Sequence, residues 1–340
     1  MTLRNQLLFA VKRAGEVLDV TAARRRIYED GYTRIDPIAI AESDGVSVML
    51  RPLDRLLGAF LRSQGSAGIL VNSQRPIGML HVTCAHELGH HFLGHDTKAD
   101  KKLDFEDTAA PEEQAANEFA YHLLMPRWLV VHVMKRKGWG ASDLERPEVV
   151  YQLSLRLGVS FTAMTWSLNR IKLLAPNIAR RISQTPPKLI KEAASPFGAP
   201  VPSDGDVWLL DRHDQDVVIE ARVSDRFVVQ LPNHTSAGFV WTADEATAAG
   251  FAIRPVVVDA RNLDRPIEPV VVGNGQSIPY LLEPKDLSAG SDDALLVDLY
   301  ERQPWMSDDP LDRLRLRAHY ERIYKGLSKG TKQRLIRESS

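Results

Sequence analysis

The chain has 340 residues, with 43 Lys and Arg against 44 Asp and Glu and a single cysteine. A net charge of −1 gives no general pull toward nucleic acid or an anionic membrane. The lone Cys84 excludes an internal disulfide and fits a reducing compartment, and the length favours two domains with separate cores. The longest early apolar run, residues 7–11, is cut off by Lys12 and Arg13. It is too short for a signal-peptide core or a bilayer span, so no membrane partner and a cytoplasmic location are expected.

The next informative segment is the apolar helical run 80–93, which contains His86-Glu87-Leu88-Gly89-His90. Residues four apart share a helix face, so His86 and His90 can present two imidazoles to one Zn²⁺. Glu87, one step round, then stands beside the attacking water as its base rather than on the metal. Cys84 points away from the face of His86 and reads as a buried small hydrophobe rather than a nucleophile.

A catalytic zinc needs a third protein ligand. A metzincin box would place Gly at 93 and His at 96, but the chain has Leu93 and Asp96, with Gly94 and His95 out of register. The alternative is a glutamate on a second helix. Residues 111–126 start and end at a proline and read as that helix. Glu113 and Asn117 share a face, so Glu113 can ligate the metal while Asn117 orients a ligand, with Ala115, Phe119 and Leu123 packing inward.

HELGHHFLGH followed by EQAANEFAYHLLMP resembles the ImmA/IrrE family of bacterial zinc metallopeptidases, over about residues 1–180, with the specific motifs confined to 80–126. The resemblance implies that His86, His90 and Glu113 bind one Zn²⁺, with Glu87 as catalytic base. Residues 38–46 resemble the family's helix-then-strand entry, and 58–61 and 68–72 its short strands. Strand 68–72 could pair with an extended substrate. The chain departs from the family at Tyr121, where a small residue is usual, and in the approach 79–84. Tyr121, eight residues after Glu113, is a candidate donor to the oxyanion, and a core tyrosine is the plainer reading.

Residues 149–174 form helix, glycine turn and helix, the pattern of a helix-turn-helix. The second helix opens on Phe161, Ala163 and Trp166, and its basic residues come only at Arg170 and Lys172, so packing is favoured over direct DNA contact. A Pro-, Ala- and Ser-rich stretch, 185–203, reads as a linker. Alternation then replaces helical periodicity, in 217–223 and 226–231, and further strand candidates are 267–272, 294–301 and 311–319.

Three loops stand out in this half. The first holds Asn233, Thr235, Gly238 and Phe239, the second Gly273 and Gly275, and the third Arg302, Pro304 and Trp305. In that order they resemble the binding loops of chagasin-like cysteine-peptidase inhibitors, an immunoglobulin-like fold, over roughly 203–325. His234 and Gln303 depart from the family where inhibitor loops fill a cleft, so the fold is the firmer implication. Residues 311–340 carry nine Lys or Arg against three Asp or Glu. Their first half reads as the last strand and 326–340 as a basic, solvated tail.

The expected fold is therefore α+β. A mostly helical, zincin-like metallopeptidase domain with a small sheet spans 1–184, and a chagasin-like β-sandwich spans 204–325. The resemblance implies regulation by cleavage of a protein partner, a DNA-binding helix-turn-helix repressor, often under stress or mobile-element control. The sandwich would be the recognition surface. The rivals are a zinc-binding sensor or antitoxin-like module that does not cut, and a cysteine-peptidase inhibitor. Glu87 argues against both, because a structural zinc needs no base.

Overall fold

The computed structural model describes residues 2–63, 65–96, 98–100, 110–195, 201, 204–242, 251–255, 277–284, 295–306, 309–321 and 325–338. The chain divides into two compact units. Unit 1 comprises Met1–Lys135, Gly140–Gln184 and Arg322–Ser340, and unit 2 comprises Arg136–Trp139 and Thr185–Glu321.

Unit 1 opens with α1 (Leu3–Val20), which buries Ala10, Ala14, Val17 and Leu18 along one stripe, the spacing of an amphipathic helix. Then come α2 (Ala23–Tyr28) and α3 (Pro37–Ser43). The start of α3 is fixed by Asp36, whose carboxylate accepts from the N–H of Ile38 at 2.9 Å and of Ala39 at 3.1 Å. Strands β1 (Ser47–Arg51), β2 (Gly58–Ser63) and β3 (Ser66–Asn72) precede α4 (Ile77–Leu93), β4 (Lys98–Asp100) and α5 (Pro111–Leu124). Helices α6 (Arg127–Lys137), α7 (Pro147–Leu157), α8 (Phe161–Arg170) and α9 (Pro176–Ser183) follow. The α7–α8 turn runs through Gly158 at φ 65°, and α8 buries Phe161, Ala163, Met164, Thr165 and Leu168, which accords with a packing role.

Unit 2 begins with α10 (Pro187–Ala194), inside the stretch expected to be a linker. It forms because Ile190 and Ala194 face inward, and Ala194 packs with Val207 and Val228. The strands are β5 (Val207–Leu210), β6 (Val218–Ala221), β7 (Arg226–Pro232), β8 (Val240–Thr242), β9 (Phe251–Pro255), β10 (Ser277–Pro284), β11 (Leu295–Arg302) and β12 (Asp312–Tyr320). They form two four-stranded sheets, β5-β7-β10-β9 and β6-β12-β11-β8. Tyr320 of the second sheet meets Phe227 and Phe251 of the first, at 6.4 and 6.5 Å between ring centroids. The predicted strand 267–272 and the loop holding Gly273 and Gly275 lie outside the described residues.

The chain then returns to unit 1 as β13 (Gly326–Leu327) and α11 (Lys329–Glu338). This corrects the expectation of a solvated tail. β13 pairs antiparallel with β1, and Thr331, 1% exposed, accepts from the Val48 N–H through Oγ1 at 3.0 Å. The open edge of β1 and the buried Thr331 explain why a basic segment docks there: small polar residues close the sheet, Arg334 donates to the Ser47 hydroxyl at 2.7 Å, and Lys329, Lys332 and Arg337 are exposed.

The sheet of unit 1 reads β13-β1-β3-β2-β4. β3 is its central strand, parallel to β1 on one side and antiparallel to β2 on the other. Both of its backbone edges are therefore used, and the expectation that 68–72 pairs with a substrate strand does not hold. The whole is an α+β protein, a helical part with a small sheet followed by a β-rich region. Among the described residues no helix is long and apolar enough to cross a membrane.

Candidate metal centre

Helix α4 is apolar almost all round, and from Leu80 to His90 every side chain on it is buried. A helix of that kind belongs inside a domain. Its partner α5 starts at Pro111, where the missing N–H costs nothing, and turns Ala115, Phe119 and Leu123 inward at 2%, 0% and 0% exposure. The two helices come close because Gly89 has no side chain: a Cβ there would lie 3.0 Å from Ala116 Cα. Phe92 stacks on Phe119 at 5.6 Å one turn further on.

That crossing brings three donors together. His86 Nε2 and His90 Nε2 are 3.1 Å apart, and Glu113 Oε2 lies 3.2 Å from the first and 3.5 Å from the second. Two buried imidazoles and one half-buried carboxylate thus form a candidate metal site. The imidazoles beside it hold the Glu113 carboxyl well below the usual carboxylate range, so it is an anion at neutral pH.

Each imidazole is oriented by a partner on its other nitrogen. His86 Nδ1–H donates to Asn117 Oδ1 at 2.9 Å, which leaves the Nε2 lone pair facing the site. His90 Nδ1 is 2.9 Å from His95 Nδ1. His95 was not read from the sequence as part of the site, because its placement depends on a turn. Gly94 ends α4 in the left-handed conformation at φ 77°, and the His95 N–H bonds back to the His90 carbonyl at 2.9 Å. That reversal lays His95 over His90, and the signal for it was the Gly94-His95 pair dismissed above as a misplaced metzincin box.

Glu87 is fully buried on α4 beside His86. Gly58, first residue of β2, is set against it: a Cβ on Gly58 would lie 2.6 Å from Glu87 Oε1. The approach to Gly58 is fixed by Asn72, whose amide donates to the carbonyls of Leu53 at 2.6 Å and Leu56 at 2.8 Å. Cys84 is fully buried and burial pushes its thiol up, as suits a packed side chain rather than a nucleophile.

Tyr121 lies on α5 two turns beyond Glu113 and is not among the three convergent donors. It is 5% exposed, its phenol is pushed up to about 12 by burial, and the Arg170 guanidinium lies 4.6 Å above its ring. It also lines a cavity of about 610 Å³ with residues of α4 and α8.

In unit 2 the first and third sequence loops are fastened to one another. The fully buried Glu301 carboxylate accepts from His234 Nδ1–H at 2.9 Å, and Gln303 Nε2 donates to the Ala237 carbonyl at 3.0 Å. Gly238, at φ 81°, leaves room for the Trp305 ring, 2.7 Å from where a Cβ would stand. Asn233 Oδ1 accepts from the Thr235 N–H at 3.1 Å, and Arg302 lies over the Tyr300 ring at 5.2 Å. Phe239 and Pro304 are half-buried and exposed respectively, and Trp305 is 70% exposed.

No curated protein matches the chain. Among solved structures it is similar to the cysteine protease inhibitor EhICP2 from Entamoeba histolytica, at 15% identity over 34% of this chain and 95% of that one, with a TM-score of 0.25. Residues 41–168, which hold His86, Glu87, His90, Glu113 and Asn117, match the family model of Peptidase_M78, the IrrE N-terminal-like domain.

Proposed function

We propose that the chain is a zinc-dependent endopeptidase that regulates by cutting a specific protein partner. The observation that carries this reading is the convergence of His86, His90 and Glu113 beside a buried Glu87. Donors held about 2.0–2.1 Å from a tetrahedral centre stand about 3.3 Å from one another. The three separations here, 3.1, 3.2 and 3.5 Å, suit such an ion. Two neutral nitrogens and one carboxylate are also a donor set that zinc peptidases use.

When bound, the ion supplies Lewis acidity toward a water and the scissile carbonyl. The chain's own groups do the rest. Asn117 holds His86 in the tautomer that offers Nε2 inward, and His95 backs the ring of His90 through its Nδ1. Glu87 takes a proton from the attacking water on its carboxylate and returns it to the departing amine. Tyr121 keeps its proton throughout the neutral range, because burial pushes it up to about 12, and is our candidate donor to the oxyanion.

The partner we propose is a helix-turn-helix repressor, as the motif resemblance implies, with unit 2 as its recognition surface. In support, unit 2 presents exposed Trp305 and Met306 on loops fastened by His234–Glu301 and Gln303–Ala237. Pre-ordered aromatic anchors of this kind favour protein recognition. The test is the Glu87→Gln protein mixed with purified candidate repressors from the host. It should bind one of them without cutting it while wild type cuts it; equal cutting by both proteins would refute the reading.

A further inference from the structure

The cavity of about 610 Å³ in unit 1 is walled in part by α4 and α5, the two helices that carry the metal ligands. On α4, Met79 and Val82 lie in the wall, seven and four residues before His86, so the stripe 79, 82, 86, 90 runs from the cavity to the ligands. On α5, Tyr121 lies in the wall, four residues after Asn117 and eight after Glu113, again on the ligand face. One helical turn is about 5.4 Å, so the wall begins about one turn from His86 on α4 and about two turns from Glu113 on α5. A third connection comes from the sheet: Leu57 lines the cavity and Gly58, the next residue, abuts the Glu87 carboxylate.

Leu57, Met79, Val82, Ala163 and Trp166 make most of the lining apolar, and polar residues, Thr162, Asn169 and Arg170 of α8 among them, complete it. The volume falls in the range of pockets that enclose a bound ligand, roughly 300–1,000 Å³. α8 buries Phe161, Ala163, Met164 and Leu168 but leaves Trp166 37% exposed, with its ring in this wall. Arg170 is ion-paired with Glu118 and covers the Tyr121 ring, so the charge nearest the pocket is already engaged. Gly78 lets α4 approach the turn that leads into α8, since a Cβ there would lie 2.5 Å from the Val159 carbonyl carbon.

The geometry points to this cavity as the specificity pocket of the peptidase, taking a bulky apolar side chain, aromatic, Leu or Met, that flanks the scissile bond of the substrate. The inference rests on the peptidase reading and adds a substrate class to it. Ala163 and Trp166 are then specificity-determining residues. A side chain larger than alanine at 163 fills the pocket, and removal of the Trp166 ring opens it.

The test uses full-length zinc-loaded protein carrying Glu87→Gln and two dipeptide hydroxamates, which grip the metal alike and differ only in a Phe or a Gly side chain. The Phe probe should bind at least about tenfold more tightly, the gain expected for burying a large apolar group. Adding Ala163→Trp should remove that preference while leaving zinc content and Gly-probe affinity unchanged. Trp166→Ala, which creates space rather than filling it, should reduce the preference and guards against a misfolded Ala163→Trp protein. Equal affinity for the two probes would overturn the pocket while leaving the metal site standing. Failure of both probes to bind would overturn the metal site and the pocket together.

Discussion

Gly89 of α4 and Ala116 of α5 meet at the helix crossing, where a Cβ on Gly89 would stand 3.0 Å from both the Cα and the carbonyl oxygen of Ala116. The glycine just before the second histidine of the box therefore has a mechanical reason. It lets α5 approach until Glu113 reaches the two imidazoles.

From this contact, Gly89→Val should push the helices apart and loosen the ligand set. Overpacking of this kind costs about 1–3 kcal/mol. Metal titration should show weaker binding than wild type, and thermal unfolding a lower midpoint. Unchanged metal affinity would mean that the crossing does not set the site.

The partners behind the two imidazoles give a second expectation. Asn117→Ala and His95→Ala should each lower metal affinity about 10–100-fold, because the ring each one orients becomes free to rotate. Competition with a chromophoric chelator measures this directly. The His95 result is the more informative, since that residue reaches the site only through the left-handed Gly94 turn.

Acid should act through Glu113. Its carboxyl is held well below the usual range, first by the hydrogen bond from His86 and then by that from His90, which Nε2 can give only where no metal takes its lone pair. A depressed carboxyl stabilises the folded state above its unfolded value, 4.5, and that contribution is lost as pH falls through the folded value. The metal-free protein should therefore lose thermal stability below about pH 4.5 more steeply than metal-free Glu113→Gln. Parallel profiles for the two proteins would show that the carboxylate is not held by the imidazoles.

The returning C-terminal segment should be needed by unit 1. Thr331 Oγ1 accepts from the Val48 N–H at 3.0 Å and also receives the Ser328 hydroxyl at 2.8 Å, all buried. Thr331→Val leaves a buried N–H unsatisfied and should cost about 1–3 kcal/mol. Deleting residues 326–338 should lower stability further, because it bares the edge of β1. A deletion protein that melts with wild type would contradict this.

The parts of the fold legible in the sequence are those set by local rules. Helix α4 follows from an apolar run with histidines four apart, and α5 from an apolar stripe between Pro111 and Pro126. Strands β7, β11 and β12 follow from alternation. What was not legible depends on distant partners. β3 looked available as a pairing edge, yet β1 and β2 occupy both of its sides. The basic C-terminus looked solvated, yet Leu327 pairs with Met49 across most of the chain length. His95 looked like a misplaced ligand because a left-handed turn is invisible to a motif read as a straight helix. The two sequence loops of unit 2 that are described were legible as loops, and Glu301 does lie on the strand read at 294–301; its bond to His234, which fastens the loops, was not legible.

The most direct measurement is zinc content and peptide hydrolysis on matched wild-type and Glu87→Gln proteins, with a proteome-derived peptide library as substrate. The wild type should hold one zinc per chain and cleave, and Glu87→Gln should hold the same zinc while hydrolysis falls by about 10²–10⁴-fold, the usual worth of a general base. Hydrolysis undiminished in Glu87→Gln, or a wild-type protein that takes up zinc and cuts nothing, would contradict the account.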